Sequence, residues 1–326
     1  MKYSIIIPAH DSQATLERCL RSILGSRFSE PYELIVVDDA SRDDTPGIAA
    51  RLGAKVLRSP SCRGPGFARN LGAKAAEGGV LVFIDSDVLL SEDTLQKIDD
   101  FFRVEKDFSV LSCNFDPACE MTDPISRYKH LYVGQCYSDQ PKEVYWVFAS
   151  TVAVKKDVFQ SAGGFGEKTW VLEDELFGRK LSKKGYRLAF GEQIRVNHVR
   201  QYSFFEFLRG EIRRSRVFTV IKFADFFNGI KHSKDTVAPN IRYSLGLFPF
   251  LIVSGFLVQR NFLFTAALIV MFYAGNYNFL MICKKQFGIK FMLQATFLIP
   301  LDCLFCWCGI VVGSFDFLGG KKLELS

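Results

Sequence analysis

The chain has 326 residues, 48% of them hydrophobic, and a formal net charge of +6, so its length is enough for one large or two ordinary domains. The charge is localised, because nine basic residues stand against three acidic ones between Arg195 and Lys234, a surplus equal to that of the whole chain. This segment precedes apolar tracts, a position that favours anionic lipid headgroups or a lipid phosphate as partner, and the lack of a recognisable nucleic-acid-binding module argues against nucleic acid.

Two C-terminal tracts have the composition of membrane segments. From Tyr243 to Cys283 the only charged residue is Arg260, and Phe291 to Leu318 contains only two aspartates. The N-terminus does not resemble a signal peptide, because its apolar run is short and stops at a proline. We therefore expect the first 235 residues to remain in the cytosol.

Strands and helices are predicted to alternate at the start of the chain. The strands are Tyr3–Pro8, Tyr32–Val37, Lys55–Arg58 and Val80–Ile84, and the helices are Ser12–Ile23, Pro46–Leu52 and Phe67–Glu77, with Ser12 as the N-cap of the first. A strand followed by a helix at a spacing of roughly 20 to 25 residues is typical of a parallel, doubly wound α/β sheet.

Two carboxylates follow the fourth predicted strand. Asp85 and Asp87 are two residues apart in extended chain, so both side chains point the same way and repel each other unless a positive charge lies between them. A divalent cation, Mg²⁺ or Mn²⁺, satisfies this need, and ligands of open α/β sheets bind at the carboxyl ends of strands. A simple turn after the strand is the alternative interpretation.

Several motifs occur in the order typical of one enzyme family. They are Ile5–Asp11, Val36–Thr45, Gly66–Gly72 and Phe83–Asp87, continued by Gly163–Glu167 and Leu172–Leu176. This series resembles the family 2 glycosyltransferases, which have the GT-A fold, a Rossmann-like domain with a mostly parallel sheet. The resemblance implies a catalytic domain over residues 1–200, with a donor half over about 1–110 and an acceptor half over about 111–200.

The resemblance implies a nucleotide-binding role for the ends of the first two strands. Exposed backbone groups of Pro8 and Ala9 would line the base, Asp39 would bond the uracil edge, and Asp11 would contact the donor. An Asx turn is the structural alternative for Asp39. His10 and Asp11 depart from the aromatic residue and the asparagine that the family often has, so the base of the donor stays open.

The same resemblance implies roles around the diphosphate. Arg69 follows a glycine loop at a helix start and would face the diphosphate, with a solvated helix face as the alternative. Asp85 would contact donor and metal, and Asp87 the metal. His198 ends a predicted strand and is a candidate third metal ligand, with a structural histidine as the alternative.

On the acceptor side, the resemblance matches Asp174 to the general base of the family. A base is needed when a sugar hydroxyl attacks, whereas a phosphate acceptor is already ionised. Acidic residues in a first helical turn are also favoured by the helix dipole, which is a sufficient structural explanation. Trp170 is interpreted either as an apolar wall for the acceptor or as a core residue.

The remaining third of the chain is predicted to contact the membrane. In residues 201–235, Arg209, Arg213 and Arg216 share one helical face, as in an interfacial helix; a soluble basic helix is the alternative. Residues 236–326 are predicted to hold two or three transmembrane helices. These are Tyr243–Val258, Phe262–Cys283 and Phe291–Leu318, the last interrupted by Pro300 and Asp302 and either spanning or re-entrant.

We therefore expect a multi-pass membrane enzyme with a cytoplasmic catalytic domain. It would be a metal-dependent, inverting glycosyltransferase of cell-envelope glycan synthesis, moving a sugar from a nucleotide-sugar, such as a UDP-sugar, to a lipid-linked or membrane-proximal hydroxyl. A polyprenyl-phosphate sugar synthase, which uses a lipid phosphate acceptor, is the alternative enzyme. A non-catalytic membrane scaffold or transport component is the alternative from another class.

Overall fold

The computed structural model describes residues 3–118, 120–138, 140–230, 237–257 and 262–320. The chain folds into two units. The first contains residues 1–120 and 138–200, and the second contains residues 121–137 and 201–322. Residues 121–137, which the sequence assigned to the catalytic domain, thus belong with the C-terminal helices.

Nine strands form one sheet within the described part of the first unit. They are β1 (Tyr3–Ala9), β2 (Tyr32–Asp38), β3 (Lys55–Arg58), β4 (Val80–Ile84), β5 (Val88–Leu90), β6 (Phe108–Phe115), β7 (Glu143–Val144), β8 (Thr151–Lys155) and β9 (Arg187–His198). Their order is β3-β2-β1-β4-β8-β6-β9-β5, with β7 on β9. The four strands from β3 to β4 are mutually parallel, and β6 is parallel to β9.

Eleven helices occur in the described residues. They are α1 (Leu16–Leu24), α2 (Thr45–Arg51), α3 (Pro65–Ala75), α4 (Thr94–Val104), α5 (Pro124–Cys136), α6 (Lys156–Ala162), α7 (Glu173–Lys183), α8 (Phe204–Phe227), α9 (Pro239–Phe256), α10 (Phe262–Gly275) and α11 (Tyr277–Leu318). Helix α5 belongs to the second unit, together with α8 to α11.

The predicted alternation of strand and helix is confirmed from β1 to β4, and the fold is α/β with parallel neighbours in this half of the sheet. One predicted helix start is wrong. Helix α1 begins at Leu16 after Thr15 rather than after Ser12. The Ser12 hydroxyl instead bonds that of Ser86 at 2.8 Å, so it is used to join two loops.

The sheet core places the carboxyl ends of β1, β2 and β4 side by side. The β4 side chains are completely buried, as expected of an apolar strand covered on both faces. Gly72 lets α3 approach β1 and β2 closely, because a Cβ atom there would overlap the side chain of Ile6. The chain segments that follow these strands therefore lie at one edge of the sheet.

In the second unit, α8 and α11 pack closely. Gly309 and Gly313 of α11 face the α8 backbone, and a Cβ atom at either would overlap the carbonyl oxygens of Ile212 or Arg216. Small residues four apart permit such contact between helices in apolar surroundings. A salt bridge between Arg216 and Asp316 joins the same two helices.

Buried polar pairs also connect the helices of this unit. Lys129 of α5 pairs with Glu211 of α8, and the Tyr128 hydroxyl donates to Asp302 of α11 at 2.8 Å. Cys306 lies beside Glu211 and Asp302, so these three could offer ligand atoms to a metal. Because the Lys129 ammonium is already bonded to Glu211, a cation is present at this cluster without any metal.

The predicted multi-pass arrangement is not supported. Among the described residues, α11 is the one helix long and apolar enough to cross a membrane, by length and composition alone. Helix α10 has 14 residues, a length of about 21 Å against the roughly 30 Å of a bilayer core. The predicted span Phe262–Cys283 is wrong because α10 ends at Gly275, and the Asn276 side chain bonds Ser244 at the break.

The third predicted tract also differs from expectation. Pro300 and Asp302 do not interrupt it, since both lie inside α11. The change of direction occurs instead at Gly288, whose φ of 82° is in the region that favours glycine.

The predicted basic face of α8 is partly wrong. Arg209 and Arg213 are exposed, as an interfacial helix requires. Arg216, in contrast, is paired with Asp316 and is therefore not free for a lipid headgroup. The interfacial role of the other two arginines stays a prediction.

Candidate active site

Asp85 follows β4 directly, and its position is set by backbone and side-chain bonds. Its amide donates to the Ser150 carbonyl at 3.0 Å. Its Oδ1 accepts from Nη2 of Arg69 at 2.8 Å. Burial raises the pKa of Asp85 above the usual range of an aspartate, and the negative charge of Asp87 adds to this against the opposing effect of Arg69.

Asp87 faces two basic side chains at the start of β5. His198 Nε2 lies 3.5 Å from its Oδ1, and Arg200 Nη1 lies 3.8 Å from its Oδ2. The antiparallel pairing of β5 with β9 sets Val88 opposite His198 and so brings the histidine there. Burial alone would raise the pKa of Asp87, but His198 and Arg200 lower it below its ordinary value.

The residues around Asp87 fit a divalent cation. Its Oδ1 is buried and accepts no hydrogen bond, and it faces His198 Nε2 at 3.5 Å, so a bound cation would give this oxygen a direct ligand bond. Asp85 contributes a second carboxylate, and His198 contributes an imidazole held in a stack on Phe115 at a centroid distance of 4.8 Å. Carboxylates are the ligands that Mg²⁺ and Mn²⁺ prefer. Asp87 and His198 thus face each other, and the metal-ligand roles of Asp85, Asp87 and His198 stay a prediction.

Arg69 lies on the inner face of α3 and is buried, with 3% of its surface exposed. The interpretation as a solvated helix face is therefore wrong. Its Nη1 donates to Oε1 of Glu173 at 2.7 Å, while Nη2 bonds Asp85. Burial would lower the pKa of Arg69, but the two carboxylates raise it, so the guanidinium stays charged.

Glu173 is a site residue that the sequence did not single out. It is the first residue of α7, after Leu172, whose φ is 59°. Three acidic residues in succession gave a signal, but the helix dipole explained them equally and nothing in the sequence separated Glu173 from its neighbours. Its partner, Arg69, lies 104 residues earlier in the chain, so the pair forms only in the folded structure.

Asp174, which is predicted to serve the acceptor, is bonded to the chain segment that also bonds Asp85. Its Oδ2 accepts from the Ala149 amide at 3.0 Å, and Asp85 bonds the next residue, Ser150. The segment 149–150 thus connects the predicted base with the predicted metal ligands. Trp170 is 54% exposed and its ring lies over Gly64, so the alternative of a core residue is wrong.

The predicted nucleotide-binding residues form a second group, around residues 62–64. Both carboxylate oxygens of Asp39 accept from the Arg63 amide at 3.0 Å, and one also accepts from Gly64 at 2.7 Å. His10 Nδ1 lies 2.8 Å from the Asp39 carbonyl oxygen. Asp11 is exposed and accepts from the Arg42 amide at 2.7 Å.

The structure does not present the backbone groups predicted to line the base. Pro8 and Ala9 are buried in β1, where they pair with Val37 and Asp38. The Ala9 carbonyl accepts from the Asp39 amide at 2.8 Å. Any contact of a base with this region therefore uses the side chains of the following turn.

Residues 4–160 match the family model "Glycosyl transferase family 2". This part of the chain is a family 2 glycosyltransferase domain. It carries Asp85 and Asp87 and the loops that follow β1 and β2, whereas Asp174 and His198 lie beyond the matched residues.

Curated relatives of this domain come from several bacteria. The chain is 28% identical over 235 residues to the poly(ribitol-phosphate) β-N-acetylglucosaminyltransferase TarS of Staphylococcus aureus, a match of 64% of this chain and 39% of the relative. It is 34% identical over 102 residues to a poly(ribitol-phosphate) β-glucosyltransferase of Bacillus spizizenii, covering 29% and 16%. The chain thus spans less than half the length of either relative.

Solved structures confirm the predicted GT-A fold. The mannosyltransferase PcManGT from Pyrobaculum calidifontis, in complex with GDP-Man and Mn²⁺, matches with a TM-score of 0.57 and 18% identity, over 98% of this chain and 88% of that one. Residues 1–349 of S. aureus TarS in complex with UDP-GlcNAc match with a TM-score of 0.54 and 17% identity, over 99% and 93%.

Proposed function

We propose that this protein is an inverting glycosyltransferase that uses a divalent cation and a nucleotide-sugar donor, with a UDP-sugar favoured. The observation that carries the proposal is the buried Oδ1 of Asp87, which accepts no hydrogen bond and faces His198 at 3.5 Å. Two residues earlier in the chain, Asp85 is joined to Asp174 through residues 149–150. In this proposal, the donor diphosphate and the acceptor hydroxyl both bind at this edge of the sheet.

Asp174 acts as the general base in this proposal. The acceptor hydroxyl oxygen forms the new bond to the anomeric carbon, its proton passes to an Asp174 carboxylate oxygen, and the bond from the anomeric carbon to the diphosphate breaks on the opposite face. The nucleoside diphosphate leaves with the electron pair of that bond. The Ala149 amide, which donates to Asp174 Oδ2, orients the carboxylate.

Asp85, Asp87 and His198 hold the cation in this proposal. When bound, it supplies positive charge to the departing diphosphate. The direct contact of Arg69 with the diphosphate stays a prediction, because its two terminal nitrogens already bond Asp85 and Glu173. Asp39 and the turn at Asp11 are proposed to receive the base, with uracil favoured.

The acceptor is proposed to be a glycan or polyol-phosphate of the bacterial cell envelope. Two relatives act, by name, on poly(ribitol-phosphate), and a chain of this kind offers free hydroxyls that need a base. The exposed apolar side chains of α9 and α10, such as Phe256 and Leu263, support a location at a membrane. Trp170, with Arg209 and Arg213, is proposed to face the acceptor or the lipids.

A donor screen tests this function directly. The full chain, purified in detergent, is titrated with UDP-, GDP- and dTDP-sugars by calorimetry, with and without Mn²⁺. We expect one nucleotide class to bind, with affinity that falls on removal of the cation. Metal-independent binding, or no binding of any of these donors, contradicts the proposal.

A further inference from the structure

Glu173 and Asp85 share one buried guanidinium. Arg69 donates to Glu173 at 2.7 Å and to Asp85 at 2.8 Å, and the side chains of Arg69 and Glu173 are 4% and 8% exposed. The three side chains come from α7, α3 and the end of β4, so a carboxylate of the acceptor side is connected to the predicted metal site. Water screens this arrangement little, since it is buried.

The charges around the Arg69 guanidinium determine how strongly the Asp85 carboxylate can attract a cation. If Arg69 were paired with Asp85 alone, its positive charge would cancel the negative charge of that carboxylate. Asp87 would then be the only one of the two aspartates to attract a divalent cation. Because Glu173 also pairs with Arg69, the positive charge of the guanidinium is neutralised by Glu173. Asp85 then adds its negative charge to that of Asp87, which lies 3.8 Å from Arg200, and the second carboxylate strengthens the attraction of a divalent cation.

We infer that Glu173 is a positioning residue that neutralises Arg69 and so preserves the cation affinity of Asp85 and Asp87. The inference rests on the proposed function, in which these two aspartates hold the metal. Glu173 touches neither the cation nor the reacting atoms in this role. It acts through Arg69, which keeps the Asp85 carboxylate oriented without consuming its charge.

The test is direct Mn²⁺ binding, measured by calorimetry or by the loss of the free Mn²⁺ EPR signal. Glu173→Gln keeps the volume and one acceptor but removes the charge, and we expect Mn²⁺ affinity to fall by about tenfold or more. Glu175→Gln is the matched control, because Glu175 is also buried in α7 and bonds an arginine, Arg179, at 2.8 Å. We expect wild-type Mn²⁺ affinity in this control.

A double variant separates charge from structure. In Glu173→Gln with Arg69→Gln, both charges are absent and the two aspartates regain their excess negative charge, so we expect Mn²⁺ affinity to recover towards that of the parent. Melting temperatures check that each variant is folded.

Several outcomes overturn the inference. They are unchanged affinity in Glu173→Gln, an equal loss in Glu175→Gln, and a double variant weaker than Glu173→Gln. If the parent chain binds no Mn²⁺ at all, the proposed metal role fails and the inference fails with it. If the parent binds Mn²⁺ and Glu173→Gln binds it equally, the inference alone fails.

Discussion

The imidazole Nε2 of His198 lies 3.5 Å from Oδ1 of Asp87, the buried oxygen that accepts no hydrogen bond. The two residues meet because β5, which begins one residue after Asp87, pairs antiparallel with the end of β9. A carboxylate oxygen and an imidazole nitrogen at this distance can share one cation, and the stack of His198 on Phe115 holds the ring in place.

Replacing Asp87 tests the carboxylate. We expect Asp87→Ala to abolish metal-dependent binding of the donor, with some loss of stability because His198 and Arg200 lose their ion pairs with Asp87. UDP affinity is measured by calorimetry with Mn²⁺, and thermal unfolding is compared with that of Asp107→Ala, a change at a highly exposed aspartate. Unchanged Mn²⁺-dependent affinity in Asp87→Ala rules out its metal role.

Replacing His198 separates a ligand from a structural histidine. His198→Phe keeps an aromatic ring to stack on Phe115 but has no ring nitrogen. If His198 binds the cation, we expect Mn²⁺ affinity to fall by about tenfold to a hundredfold, as for other altered metal sites, with a melting temperature near that of the parent. Should the variant bind Mn²⁺ normally and melt several degrees lower, the histidine is structural.

A further prediction concerns the contact between α8 and α11. A Cβ atom at Gly313 would overlap the Arg216 carbonyl, so we expect Gly313→Ala to destabilise the second unit by about 1 to 3 kcal/mol. Gly210 of α8 has no neighbour where its Cβ would lie, and Gly210→Ala should be neutral or stabilise the helix by up to about 1 kcal/mol. Unfolding in detergent compares the two, and equal effects would contradict the packing argument.

The strands and the pair of aspartates could be predicted because their signals are local. An apolar run such as Val80–Ile84 specifies a buried strand by its own composition, and the acidic residues follow it immediately in the chain. The position of His198 beside Asp87 required only that a second strand should end near the first. These features depend on neighbours in sequence or on the general rule for strand ends.

Other features depend on partners that are distant in sequence. The sequence around Arg69 does not indicate that Arg69 will pair with Glu173. Likewise, the sequence around Arg216 does not indicate that Arg216 will pair with Asp316. The break at Asn276 was missed because one uncharged polar residue barely alters an apolar tract, whereas its bond to Ser244 exists only in the folded helices. Charge and hydropathy patterns therefore predicted segments better than contacts.

The last prediction concerns Asp174, whose carboxylate accepts from the Ala149 amide and lies in the first turn of α7. Asp174→Asn keeps the size of the side chain and one carbonyl acceptor for that amide. If the acceptor is a hydroxyl, we expect kcat to fall by about 10²- to 10⁴-fold, because general-base assistance is lost. Donor affinity should hardly change, since Asp174 contacts neither Asp87 nor His198 among the bonds described.

The same variant distinguishes the remaining interpretations of Asp174. A lipid phosphate acceptor is already anionic, so turnover should then stay within a small factor of the parent. A purely structural carboxylate predicts a loss of roughly 0.3 to 1 kcal/mol of stability, from the interaction with the helix dipole, and normal kinetics. Turnover, UDP affinity and melting temperature are measured together on Asp174→Asn. Near-normal turnover would defeat the hydroxyl-acceptor function proposed above, because the attacking oxygen would then need no base.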